Sequence, residues 1–350
     1  MMGIEALKAF FVGVVEGLTE WLPISSTGHM ILVDEFLNLQ VSQEFLELFL
    51  VVIQIGAIMA VLILYFRKLN PFTSHKSAPE RKRTWRLWGM VLVGCVPAAV
   101  IGLTLDDWFH EHFYNAVTVA VALIVYGGAF IVIELHQKKK NAVAGSAVQN
   151  VKNVKNVQNR RSRGKWGSGV STGEARLRLG DGRTYPLGLG SAAPRGKHAR
   201  IKSPAAYAVE QVDDINIKTA LAIGAFQMLA IVPGTSRSGS TIIGGLLCGC
   251  SRVAASEFSF FLAIPVMLGW GLLKVLKYLF ATGFAMSATE VTVLAVGIVT
   301  AFVVSVVAIK FLIGFVKKHS FVAFGVYRIV VGIVVLAFFV VTGELFVIQG

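Results

Sequence analysis

The chain has 350 residues, 55% of them hydrophobic and 15% charged, with a formal net charge of +13 and a mean hydropathy of +0.68. Soluble domains carry about 25% charged residues, so an ordinary soluble fold is excluded. Cys95, Cys248 and Cys250 all lie in apolar stretches, which excludes a secreted disulfide scaffold, and Cys248-x-Cys250 lacks the second ligand pair of a zinc site.

In chain order, residues 4–38 form an apolar stretch interrupted by Pro23, Ser25, Ser26, Thr27 and Gly28. This pattern predicts a re-entrant hairpin, in which a helix enters, a polar loop sits at depth and a short helix returns. Such exposed backbone is tolerable only where protein or a wet cavity covers it. Spans at 45–66, 88–105 and 116–135 follow, each long enough for a hydrocarbon core of ~30 Å. Segment 138–214 then carries 16 Lys and Arg against 5 Asp and Glu, whereas the rest of the chain holds 17 and 15. The positive charge therefore belongs to one polar, low-complexity segment, expected to be a largely disordered cytoplasmic loop near anionic lipid rather than a nucleic-acid module. Within it, 175–185 reads as a hairpin turning at Gly180-Asp181-Gly182. A second broken stretch, 217–250, predicts another re-entrant hairpin, and spans at 258–280, 290–314 and 322–342 complete the chain.

Basic residues orient the spans. The 67–87 loop, with Arg67, Lys68, Lys76, Arg81, Lys82, Arg83 and Arg86, should be cytoplasmic. The loop carrying Asp106, Asp107 and Glu111 should face outward, and Lys138–Lys140 and the 315–321 turn should lie inside. Lys274 and Lys277 fall near an outer end and fit this rule badly.

The two halves, 1–137 and 215–350, are alike. Pro23-Ile-Ser-Ser-Thr-Gly28 matches Pro233-Gly-Thr-Ser-Arg-Ser-Gly239, and each is followed by a Glu-Phe pair, Glu44-Phe45 or Glu257-Phe258, that opens a span. One hairpin plus three spans per half makes the second copy enter from the opposite face. The expected fold is thus an all-α polytopic membrane protein built as an inverted repeat, with both broken hairpins at the midplane.

The chemistry lies in residues that an apolar segment does not keep without compensation. Glu16 and Glu20 are four apart and share one helix face. Each ionised carboxylate at depth costs on the order of 2.5–3.5 kcal/mol. A cation, a shared proton or a basic partner must offset this. Arg237 and Arg328 are candidate partners, each a fork matched to phosphate oxygens. Ser236, Ser238 and Thr241 add uncharged donors, and a helix starting after that loop adds its positive dipole end. The second hairpin reads as an anion cradle suited to phosphate. In the first, Glu16 and Glu20 could hold Mg2+ or Ca2+, Ser25 or Ser26 could be a nucleophile, and His29 its base or a proton donor to a leaving group. Each feature also has a plainer reading: Ser25 or Thr27 back-bonding to its own helix, a satisfied interfacial His29, a structural Glu–Arg network, and Gln54 and Gln227 as polar contacts between spans.

Glu16-Gly-Leu-Thr-Glu20-Trp-Leu-Pro-Ile-Ser-Ser-Thr-Gly-His29 and Pro233-Gly-Thr-Ser-Arg-Ser-Gly-Ser-Thr241 closely resemble the two signature motifs of the bacterial undecaprenyl-pyrophosphate phosphatases, the bacitracin-resistance family, as do Glu257-Phe-Ser-Phe-Phe-Leu-Ala-Ile-Pro265 and Tyr327-Arg328. The resemblance covers roughly 1–137 and 213–342. It implies a divalent-cation-dependent enzyme of the bacterial inner membrane whose site opens outward. Such an enzyme removes the terminal phosphate of undecaprenyl diphosphate, an isoprenyl diphosphate lipid, to recycle the carrier for cell-wall synthesis. It also implies a site lined by Glu16, Glu20, Ser26, His29, Ser236, Arg237, Thr241 and Arg328, with Ser26 attacking phosphorus and His29 relaying the proton, or with a metal-bound water as nucleophile. The family normally has only a short linker where this chain has its basic segment. The rival is a lipid-phosphate transporter using the same midplane cradle. Gly127 and Gly128 would suit a helix contact in a homodimer, though small residues are common in spans.

Overall fold

A computed structural model describes residues 2–37, 39–113, 115, 117–139, 176–178, 184–186, 207–283 and 286–342. The chain forms two units. One comprises 1–138 with 207–350, and the other comprises 139–206.

The large unit is an all-α polytopic membrane body, with six helices long and apolar enough to cross a bilayer. In the first half, α1 (Met2–Thr19) is followed by a break and by α2 (Ser26–Leu37). Then come α3 (Gln43–Leu64), the single turn α4 (Phe66–Leu69), α5 (Ala78–Phe113) and α6 (Val117–Lys139). In the second half, α7 (Ile217–Met228) is followed by a 3-10 turn, a break and α8 (Arg237–Leu247), then by α9 (Arg252–Thr282), α10 (Ala288–Val316) and α11 (Val322–Thr342).

Local chemistry sets the ends. Ser42, Asn216, Ser236, Ser251 and Ser287 each accept a backbone N–H at a helix start. Gly283, at φ 64°, closes α9 with a left-handed cap. Both interruptions hinge on a serine in the left-handed region, Ser25 at φ 76° and Ser236 at φ 69°. Such backbone costs a non-glycine residue roughly 1–2 kcal/mol. The helices on either side therefore cannot merge into one, and surrounding packing must hold the turn.

Glycines set the packing. Gly13 and Gly17 bring α1 against Gly297 and Ala301 of α10, and Gly224 brings α7 so close to Gly94 of α5 that no Cβ fits. Each hairpin's entering helix thus packs on the middle span of the other half. The first spans, α3 and α9, pack on each other, and α6 meets α11 at Gly127 and Gly325. Gly127 therefore serves a contact within the chain, whereas Gly128 meets open space among the described residues where a Cβ would sit.

Three expectations are adjusted. The 67–87 loop is mostly helical, because Ser77 donates to the Glu80 carboxylate at 2.7 Å from both its backbone N and its Oγ, starting α5 early. The acidic 106–111 stretch likewise continues α5 to Phe113. Charge marks where apolar surroundings end, not where a helix must stop. Residues 207–214, read as part of the basic loop, belong to the body: Val209 and Val212 are buried in its core and Val209 bridges to Cys250. Lys274, awkward for the charge rule, pairs with Glu47 at 3.2 Å and lies over Trp270.

In the small unit, β1 (Arg176–Arg178) pairs antiparallel with β2 (Thr184–Pro186), with Leu177 opposite Tyr185. This is the hairpin read at 175–185. Its turn, and most of the segment expected to be disordered, lie outside the described residues.

Candidate active site

Both breaks converge inside the large unit. Glu20 ends the first hairpin's entering helix, and Arg237 opens α8. Arg237 Nη2 lies 2.9 Å from Glu20 Oε1, and its Nη1 donates to the Ser259 carbonyl at 3.0 Å. Ser26 Oγ donates to the other Glu20 oxygen, Oε2, at 2.6 Å. Ser238 Oγ donates to the Glu20 carbonyl at 3.0 Å. Carboxylate, hydroxyl and guanidinium from opposite halves thus form one chain, with Glu20 7% exposed.

Glu16 lies one turn earlier, 1% exposed, and its Oε1 has no hydrogen-bond partner among the described residues. The charges acting on it come from Glu20 and Arg237. An orphaned buried acceptor beside a second carboxylate invites a proton or a cation.

His29 stands apart from Ser26. Its Nδ1 is 2.7 Å from the Ser25 carbonyl, and its Nε2 is 2.8 Å from the Tyr327 hydroxyl. The expected Ser26–His29 contact is absent among the described residues, because Ser26 is engaged by Glu20 instead. Ser25 is 1% exposed and its Oγ accepts from Gly28 N at 3.4 Å. The side chain of Thr27 lies outside the described residues.

Other expected ligands serve the frame. Ser236 caps α8 by accepting from Gly239 N at 3.1 Å, and its Oγ is 3.2 Å from that of Ser238. Thr241 is fully buried, donates back to the Arg237 carbonyl at 2.9 Å, and meets Ser259 Oγ at 2.6 Å. Arg328 is also fully buried. Its Nη1 donates to the Pro23 carbonyl at 3.2 Å, its Nη2 to the carbonyls of Gly234 at 2.8 Å and Thr235 at 3.1 Å, and its guanidinium lies 5.6 Å from the Tyr126 ring centre. It clamps the two turns together rather than presenting its fork to an open site.

Two contributors were given no role by the sequence reading, although both lie in stretches that resemble the family. Ser259 holds both Arg237 and Thr241, and Tyr327 bonds His29. A cavity of about 430 Å3 between the 39–42 loop and the start of α10 contains none of these residues.

With the fold a polytopic membrane body and its convergent site a carboxylate–hydroxyl–guanidinium cluster, the comparisons with known proteins become specific. The family model described as bacitracin resistance protein BacA matches residues 9–161 and 193–334. The chain belongs to that family. It is 46% identical to the undecaprenyl-diphosphatase of Enterococcus faecalis (strain ATCC 700802 / V583), over 97% of this chain and 99% of the relative. It is 44% identical to the undecaprenyl-diphosphatase of Acetivibrio thermocellus, over 96% and 98%, and 43% identical to that of Streptococcus thermophilus, over 95% and 93%.

Proposed function

We propose that the chain is an integral membrane hydrolase that removes the terminal phosphate of undecaprenyl diphosphate, releasing the monophosphate for reuse as a cell-wall lipid carrier. The observation that carries this is the meeting of Glu20 and Arg237 at 2.9 Å from opposite halves of the chain. Family membership and the names of the relatives agree with it.

In this reading Arg237, Ser238 and the N-terminus of α8 bind the diphosphate, and Ser236 holds that turn in shape. Ser26 attacks the terminal phosphorus. Its Oγ–P bond forms as the bond to the bridging oxygen breaks, the electron pair leaves with the lipid monophosphate, and the Ser26 proton passes to Glu20 across the 2.6 Å contact. Water then cleaves the phosphoserine: Glu20 returns the proton to Ser26 Oγ as the Oγ–P bond breaks, and the water's own proton leaves with the inorganic phosphate or to solvent, so that Glu20 ends as it began. Positioning and charge neutralisation carry most of the acceleration.

Glu16 and Glu20 would hold Mg2+ or Ca2+, which when bound supplies neutralising charge to the diphosphate. The unpartnered Glu16 Oε1 fits this. Among the described residues no three acidic, histidine or cysteine side chains surround one point. Phosphate oxygens and water would then complete the shell, an arrangement Mg2+ accepts.

The reciprocal packing of α1 on α10 and of α7 on α5, together with the paired left-handed serines, supports an inverted repeat. Basic residues at one end of the spans support a cytoplasmic-membrane orientation, and in this reading the site is reached from outside.

The test is phosphate release from undecaprenyl diphosphate by purified protein in detergent. Glu20→Gln and Arg237→Ala should each lower kcat/KM by ~100-fold or more while the thermal unfolding profile persists. A protein that moves the lipid but releases no phosphate would replace the hydrolase reading with transport.

A further inference from the structure

We propose that Tyr327 is a positioning residue for His29: its hydroxyl donates to Nε2 and holds in place the imidazole whose Nδ1–H tautomer the Ser25 carbonyl sets. This rests on the hydrolase reading above and adds a residue to it.

A carbonyl only accepts, so His29 Nδ1, 2.7 Å from the Ser25 oxygen, must carry its hydrogen. The same carbonyl accepts the His29 backbone N–H at 3.3 Å. The left-handed backbone at Ser25, φ 76°, is thus tied to both the main chain and the ring of His29. In the neutral ring Nε2 is then the lone-pair nitrogen. Tyr327 Oη sits 2.8 Å from it, so the phenol donates. The rings lie nearly parallel, 4° apart with centroids 5.7 Å apart, so the phenol meets the imidazole along its edge.

Ser26 is already served by Glu20, which leaves His29 free of that task. Neighbouring Arg328 turns its guanidinium to the carbonyls of Pro23, Gly234 and Thr235 instead.

Tyr327→Phe keeps the ring and removes the hydroxyl. In the purified enzyme acting on undecaprenyl diphosphate, kcat should fall at least ~10-fold with KM within ~2-fold. In a His29→Gln background the same change should cost nothing further. Independently of turnover, the 15N spectrum of histidine-labelled protein should show His29 as the Nδ1–H tautomer with a hydrogen-bonded Nε2, and in Tyr327→Phe the tautomer should persist while the Nε2 resonance moves downfield to that of an unbonded lone pair. An unchanged Nε2 resonance, or an equal loss of rate in the His29→Gln background, overturns the proposal. If the wild type releases no phosphate, the hydrolase reading fails on its own and the spectrum still decides the role of Tyr327.

Discussion

Glu20 is shared by three partners: its carboxylate takes Ser26 and Arg237, and its carbonyl takes Ser238. Glu16 has a free oxygen by comparison, which makes it the better reporter of a bound cation. Chelation should stop phosphate release, and Mg2+ or Ca2+ should restore it. Glu16→Gln should raise the cation concentration needed for half-maximal rate by ~10-fold or more, as read by metal titration of phosphate release. By contrast, Ser259→Ala should cost only about 1 kcal/mol in thermal unfolding, because Thr241 can still donate to backbone carbonyls. At this scale the sequence was informative about which residues are polar at depth and poor about what they do there. Glu16, Glu20 and Arg237 stood out because charge in an apolar run needs a reason. Thr241 and Arg328 stood out equally, yet they bond carbonyls and a hydroxyl of the frame, and such partners leave no mark in a motif.

Helices here are placed by glycine faces. A Cβ on Gly224 would strike the backbone of Gly94, which cannot rotate away. Gly224→Val should therefore destabilise the protein by ~3 kcal/mol or more. Gly128→Val, with nothing within 4 Å, should stay within ~0.5 kcal/mol of the wild type. Thermal unfolding of the two variants in the same detergent compares them directly. The spans and both broken hairpins were legible because Pro, Ser and Gly interrupt long apolar runs. The extension of α5 at both ends was not legible, since hydropathy reports the depth of the bilayer and not the end of a helix. Ser25 was read as a nucleophile or as back-bonding to its own helix, and Ser236 as a donor. Their left-handed backbone, which creates the breaks, is a property that serine does not advertise.

Across the whole body, ion pairs tie the halves near the ends of the spans that carry the basic residues. Glu134 forms a two-pronged pair with Arg252, at 2.8 and 2.6 Å, and also accepts Phe321 N at 3.1 Å. Lys68 reaches Glu257 at 2.8 Å. Because Glu134 is almost fully buried, Glu134→Gln should leave Arg252 without its counter-charge and cost ~3 kcal/mol, seen as a lowered midpoint of thermal unfolding. Lys68→Gln, at a pair more open to water, should cost about 1 kcal/mol or less. These partners lie 118 and 189 residues apart, and no local pattern announces them. Arg328 sets a further limit on how the body can deform. One guanidinium grips Pro23 on one side and Gly234 and Thr235 on the other, so the two turns travel as a single riveted joint. Any rocking of one half against the other has this point as its fulcrum. In the proposed reaction, a lipid headgroup would then have to be admitted by the surrounding helices, with the joint itself held.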